Sequence, residues 1–168
     1  NLTAKSLTNM DNSIDMAYGS INIENLKGQE VNIKYGNLTL GTVDKLTANI
    51  GYGTVKIGKL STFGDFNIKF GSGFQISDLD KNFKSLSINS SYTSIKLGLS
   101  GDQNADFNVT VKYGDFSYGS HAVNIEDKTP ERSRRGWSPT QNYTGHLGKG
   151  NADKIINITT SYGSVRLD

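Results

Sequence analysis

A stretch of about ten residues, centred on an aromatic residue that is usually followed by glycine, recurs seven times and constrains the fold more than any other feature. In the clearest copy, VNIKYGNLTLGTV (31–43), apolar and polar residues alternate up to Tyr35-Gly36 and alternate again from Leu38. Successive aromatic residues are separated by 17, 17, 18, 22, 21 and 49 residues. Repeats of this length predict a solenoid, in which each repeat packs on its neighbours. The aromatic residues are Tyr18, Tyr35, Tyr52, Phe70, Tyr92, Tyr113 and Tyr162.

The apolar pattern within a repeat predicts two short strands joined at a glycine corner. Val31 and Tyr35 share one strand face, whereas the apolar positions after Gly36 begin at Leu38 with the opposite parity. Glycine tolerates positive φ, so the chain can turn there and keep its apolar face inward. A third apolar side follows at Val43. Three inward sides predict an all-β fold, a single-stranded, right-handed parallel β-helix (solenoid) of about seven coils that stack to about 34 Å.

Two repeats depart from the pattern, and one long segment interrupts it. Thr93 replaces the corner glycine of the fifth repeat and Gly73 adds a residue to the fourth, which predicts local bulges. Residues 1–168 are interpreted as one β-helical repeat domain with an inserted loop at about 119–154. That loop holds both prolines, both histidines, the single tryptophan and three of the four arginines. Residues 128–150 carry a charge of +4 in a chain of net charge +2, so the remainder sums to −2.

The repeated aromatic-glycine pattern and the closing stretch GHLGKGNADKIINITTSYGSVRL (145–167) resemble an adhesin domain family of unknown function in Bacteroidetes. The resemblance covers nearly the whole chain. It implies a β-helical repeat domain, an exported protein and an adhesive role at the bacterial cell surface or in the periplasm. It brings no catalytic residues. The chain starts at Asn1 with neither a Met nor an apolar leader, so any export signal is expected to have been removed already.

Two columns of side chains are predicted along the solenoid. The aromatic column is expected to be buried, since parity groups Tyr35 with Val31 on the interior face, and an exposed glycan platform is the alternative. Three residues before each aromatic residue stands a polar one on the opposite face, where amides in register would form a hydrogen-bonded ladder. A strip that binds glycan hydroxyls is the alternative for this column. It consists of Asp15, Asn32, Asn49, Asn67, Asn89, Thr110 and Thr159.

Two sets of residues are candidates for binding. The first lies in the insertion, where positive charge and aromatic surface are combined as in many binding loops. It consists of Arg132, Arg134, Arg135, Trp137, Tyr143 and His146. The second is an outward basic face, which serves either as a solvated face that discourages edge pairing or as a surface for an anionic polysaccharide. It consists of Lys34, Lys56, Lys69, Lys96, Lys112 and Arg166.

Other kinds of chemistry find little support in the sequence. The chain has no cysteine and no apolar run long enough to span a membrane. Asp78, Asp80 and Asn82 begin like a calcium loop, but Phe83 stands where the turn glycine belongs. No nucleophile–base motif is visible, and one basic run without a recognition fold does not predict nucleic-acid binding. We therefore expect no enzymatic activity, no cofactor and no metal.

The sequence predicts a non-enzymatic exported domain with a structural or adhesive role, bound to an unknown surface protein or acidic glycan. A carbohydrate-binding module for acidic polysaccharide is the alternative, and an enzyme on the same scaffold is the third reading. Residues 1–7 resemble the tail of a coil, so the N-terminal end is expected to dock further chain or a neighbouring copy, end to end.

Overall fold

The computed structural model describes residues 1–8, 13–99, 103–119, 123–130, 139–150 and 153–168. These residues form strands, turns and bends, with no helix among them. The strands are β1 (Leu2–Leu7), β2 (Ser13–Leu26), β3 (Gln29–Leu79), β4 (Ser85–Ser91), β5 (Ile95–Leu99), β6 (Ala105–Lys112), β7 (Phe116–Tyr118), β8 (Val123–Pro130), β9 (Thr140–Leu147), β10 (Ile155–Ser161) and β11 (Val165–Leu167).

The register between repeats is the one that the sequence predicts. β2 pairs with β3 in parallel, and Tyr18 lies opposite Tyr35 while Leu26 lies opposite Val43. Both pairs are 17 residues apart, which equals the spacing of the first repeats. β1 continues the pattern and pairs in parallel with the second half of β2. The repeat length therefore sets which residues of neighbouring strands meet.

The strands build one nearly closed, barrel-like sheet that is mixed rather than uniformly parallel. The all-β prediction is confirmed. β10 lies between β4 and β6 and is parallel to both, so the last repeat inserts between the fifth and the sixth. β9 pairs with β6 in the antiparallel sense, and β8 continues antiparallel to β9. Part of the predicted insertion is thus a strand pair that covers the free edge of β6, which would otherwise be open to pairing with another chain.

The core is one continuous cluster of aliphatic side chains with four fully buried phenylalanines. Phe66, Phe74, Phe83 and Phe107 are fully buried, and the rings of Phe66 and Phe74 meet edge to face with centroids 4.8 Å apart. Burial of an aromatic ring stabilises a fold by more than that of most other side chains. The interior is therefore held mainly by these residues and by the isoleucine, leucine and valine positions of each repeat.

The expectation that the repeat aromatics are buried is wrong. Tyr35 and Tyr52 are 38% and 45% exposed. The last inward position before the corner is Ile33, two residues earlier than predicted: Lys34 and Tyr35 both face outward, and Gly36 lies against the neighbouring repeat. A Cβ at Gly36 would lie 1.6 Å from the carbonyl oxygen of Gly19, so this position has no room for a side chain. The exposure of the Tyr35 ring places it on the outside of this corner.

The corner is built in two ways along the chain. In the first repeats the glycine itself has positive φ, as at Gly53 (146°). In the last three, the tyrosine takes the left-handed conformation, with φ of 53° at Tyr92, 56° at Tyr113 and 57° at Tyr162. Thr93, which replaces the glycine, is buried, and its hydroxyl accepts a hydrogen bond of 2.9 Å from the Gly71 N–H. A buried hydroxyl is thus satisfied by the backbone of the preceding coil.

Candidate ligand-binding groove

The seven repeat aromatics form one continuous stacked row on the outside of the sheet. Consecutive ring centroids lie 4.7 to 5.3 Å apart and the ring planes differ by 4° to 16°. The order follows the sheet rather than the sequence, because Tyr162 stacks between Tyr92 and Tyr113. Most ring faces cover one another, so the row presents ring edges and tyrosine hydroxyls to solvent. Tyr18, at the end of the row, is 73% exposed.

The predicted amide ladder is present in the first coils. The Asn49 Nδ2 donates to Asn32 Oδ1 at 2.8 Å, and the Asn32 Nδ2 donates to Asp15 Oδ1 at 2.9 Å. Asn32 also donates to Glu30 at 3.2 Å. The spacing between strands lets an amide reach its equivalent one repeat away, so the ladder stabilises the register.

A groove of about 580 Å³ runs along this side of the first four repeats. The polar column forms part of its lining, the apolar residues Met16, Ile33 and Ile50 form a second part, and the residues that directly precede the aromatics form a third. These latter residues are Ala17, Lys34, Gly51 and Lys69, so small and cationic side chains alternate from coil to coil. A Cβ at Gly51 would lie 2.6 Å from the backbone oxygen of Lys34. The close backbone packing at Gly51 therefore leaves no room for a side chain between the two lysines.

Charges in the groove are of both signs, with the cations predominating. The lining contains two lysines, Lys34 and Lys69, and one carboxylate, Asp15. A hydrogen bond from the Ser13 hydroxyl and a second from the Asn32 amide lower the pKa of Asp15, so its carboxylate stays ionised at neutral pH. The Lys34 ammonium lies 5.9 Å from the centroid of the Tyr35 ring, within the range of a cation–π contact. Because Asp15 belongs to the first coil of the groove, the positive part lies along the next coils.

The predicted basic face divides into separate surfaces. Its six members are all exposed. Lys56 lines a different hollow with Asn37, Thr39 and Thr54. Lys96 and Arg166 both pair with Asp168, the lysine at 2.9 Å, so their charges are partly neutralised. Lys34 and Lys69 are the members that line the groove.

Lys112, the sixth member of this face, lies near the other end of the aromatic row. Its ammonium is 5.6 Å from the centroid of the Tyr113 ring. It does not belong to the groove of the first four coils.

The predicted loop set is only partly described. Arg132, Arg134, Arg135 and Trp137 lie outside the described residues. Tyr143 and His146 lie in β9, and they are the two members whose surroundings are known.

Tyr143 is a core residue. Its ring packs 5.0 Å from that of Phe116, its hydroxyl bonds to Gln141, and burial raises the pKa of the phenol. The Nδ1 of His146 lies 2.9 Å from a carboxylate oxygen of Asp106 on the neighbouring strand β6. Both side chains therefore fasten the added strand pair to the sheet, and Tyr143 offers little surface to a partner.

The calcium-like segment has another role in the structure. Lys59 Nζ lies 2.7 Å from Asp80 and 3.4 Å from Asp78, and the hydrogen bond from Lys59 lowers the pKa of Asp80. One Asp80 oxygen also accepts the N–H of Asn82, closing a turn. Lysine thus occupies the place where a cation would meet these carboxylates. Within the described ranges no three histidine, cysteine or acidic side chains are grouped as metal ligands.

The described part of the chain contains no helix that is long and apolar enough to cross a membrane. Comparisons with protein-family models, with curated proteins and with solved structures give no match to this chain.

Sequence reasoning missed the groove although its signal was visible. Small residues alternate with lysine at the position before the aromatic in the first four repeats. The lysines at this position were predicted as part of one basic face, whereas the structure places Lys34 and Lys69 beside the amide column in a common concave surface.

Proposed function

We propose that this chain is a non-enzymatic, exported adhesion domain of a bacterial surface or periplasm, and that it binds glycans on its outer wall. The scaffold proposed is a right-handed parallel β-helix of about seven coils, with the added strand pair covering one end. The resemblance to adhesin domains of Bacteroidetes agrees with this proposal. The observation that carries it is the exposed, stacked row of aromatics, together with a neighbouring groove lined by amides, lysines and apolar side chains.

The outer wall has the chemistry that glycan binding uses. A sugar presents hydroxyls, which need donors and acceptors, and patches of C–H, which pack on apolar surface. The amide column supplies paired donor and acceptor groups, and the aromatic row supplies apolar edges. Binding sites are typically concave, with a few well-placed polar groups. Exposed apolar patches on soluble proteins often mark interaction sites.

A glycan array that includes neutral and acidic oligosaccharides tests the proposal directly. We expect the folded chain to bind at least one class, and Asn49→Ala, which removes one rung of the ladder in the groove, to weaken that binding. Thr39→Ala is the matched control, because Thr39 is an exposed residue that lines a different hollow. Absence of binding to every glycan on the array by the folded chain would contradict the proposal.

End-to-end association stays a prediction of the sequence. Ile14 and Met16, in the first described coil with this pattern, are half-buried, whereas their partners Val31 and Ile33 are buried. A concentration series in light scattering tests the prediction: a rise in mass would support it, and a constant monomer mass would contradict it.

A further inference from the structure

The lysines of the groove repeat with twice the period of the coils. Lys34 and Lys69 stand at equivalent positions, with Gly51 between them. Adjacent strands are about 4.8 Å apart, so two coils separate the lysine backbones by about 10 Å. This distance is close to the length of one disaccharide in an extended polysaccharide, whereas a single coil corresponds to one sugar.

The neutral position between the lysines is enforced by the fold. Any side chain at Gly51 would meet the backbone of the preceding coil. Contacts below 3.0 Å are not seen for real Cβ atoms, so the chain cannot simply gain a third lysine there. Each of these three coils contributes an amide to the lining, at Asn32, Asn49 and Asn67. The middle coil therefore differs from its two neighbours in having an amide without a cation.

The end of the groove at the first coil, where Asp15 lies, disfavours an additional anion. Asp15 is ionised, and Glu30 contacts the ladder through Asn32. An anionic group beside the first coil would be repelled by these carboxylates. The favourable positions for anions are therefore at the two lysines.

Resting on the proposed function, we propose that the groove binds a linear anionic polysaccharide in which a charged sugar alternates with a neutral one. The polymer lies along the aromatic row. Its carboxylates face Lys34 and Lys69, and the neutral sugar between them lies over Gly51 beside Asn49. A polymer charged on every sugar would place an uncompensated carboxylate over the neutral coil.

Isothermal titration calorimetry with three oligosaccharides of equal length tests whether affinity depends on the presence of charge and on its spacing. A hyaluronan octasaccharide alternates glucuronate with N-acetylglucosamine, an oligogalacturonate carries a carboxylate on every sugar, and a chitin oligosaccharide is neutral. We expect the hyaluronan octasaccharide to bind most tightly. The double variant Lys34→Gln/Lys69→Gln should lose about tenfold in affinity, because each exposed ion pair contributes a fewfold. Lys56→Gln, on a different hollow, should change affinity less than twofold.

A gain-of-function variant tests the spacing itself. Ala17 is exposed and precedes Lys34 by one coil, so Ala17→Lys combined with Asp15→Asn places cations on adjacent coils and removes a carboxylate that would repel an anion there. This change should improve binding of the oligogalacturonate more than that of the hyaluronan octasaccharide. Equal melting temperatures of all variants confirm that the groove is intact.

The outcomes separate this inference from the function on which it rests. Chitin binding as tight as hyaluronan binding, unaffected by Lys34→Gln/Lys69→Gln, would overturn the inference and leave glycan adhesion standing. A preference of the parent chain for oligogalacturonate would overturn the alternating pattern. An equal loss in Lys56→Gln would move the site to another face. No binding of any of the three probes would overturn this inference, whereas glycan adhesion is overturned only if the array also shows no bound glycan.

Discussion

Truncating an aromatic in the middle of the external row measures how much the row stabilises the fold. The Tyr52 ring lies between those of Tyr35 and Phe70, with centroids 4.9 Å away on both sides and planes within 13°. An aromatic pair is worth about 0.5–1.5 kcal/mol beyond the area it buries, so two pairs amount to about 1–3 kcal/mol. We expect Tyr52→Ala to lower the free energy of unfolding by about this amount.

Two comparison variants bracket that value. Tyr18, at the end of the row, stacks on Tyr35 and is more exposed, so Tyr18→Ala should cost about 0.5–1.5 kcal/mol. Phe66 is fully buried in the core, and Phe66→Ala should cost about 3–5 kcal/mol. Equilibrium unfolding in urea, followed by circular dichroism, gives the three differences under one set of conditions.

The order of the three values decides whether the row is external. A loss for Tyr52→Ala as large as that for Phe66→Ala would mean that the ring belongs to the core after all. A loss indistinguishable from zero would mean that stacking on both faces adds nothing to stability. Tyr52→Leu is the control for apolar bulk, and it should recover only part of the loss, because the flat ring contacts are missing.

Three other perturbations test the corner, the ion pairs and the inserted segment. Gly36→Ala should lower the free energy of unfolding by at least about 1–3 kcal/mol in urea, because the φ of 156° and the contact with the Gly19 backbone disfavour a side chain. Gly73 lies in open space, so Gly73→Ala should leave that free energy unchanged, and equal effects of the two variants would contradict the close contact at Gly36. Asp80 has a lowered pKa, so its contribution to stability is present above its ordinary value near 3.8 and is lost as pH falls through the folded pKa. Asp80→Asn should therefore flatten the loss of unfolding free energy below about pH 4, and an unchanged acid slope would refute this. Replacing all three arginines of 132–135 by glutamine should reduce the salt needed to elute the chain from a heparin column while leaving the melting temperature unchanged, and unchanged elution would dismiss that segment as a contact for anionic partners.

The candidate site was only partly predictable from the sequence. The amide ladder followed from in-register polar residues, and the structure confirms it between Asn49, Asn32 and Asp15. The groove did not follow, because its concave shape depends on how the side chains of four repeats lie side by side, which the alternation within one repeat does not show. Tyr143 was grouped with surface residues of a loop, although it packs in the core. The residue type shows that a tyrosine can contact a ligand, but whether its ring is exposed depends on which strands pack against it.

The sequence by itself determined the all-β character, the pairing of residues 17 apart and the glycine corner. These features depend on local alternation and on repeat length, and both can be read along one chain. The tertiary structure decided the direction of the aromatic rings, because outside the corner each ring stacks on rings of neighbouring repeats, a contact that the alternation within one repeat does not show. It also decided that β10 lies between β4 and β6. Equivalent repeats offer equivalent hydrogen-bonding edges, so the pattern in the sequence shows which residues align but not which repeats become neighbours.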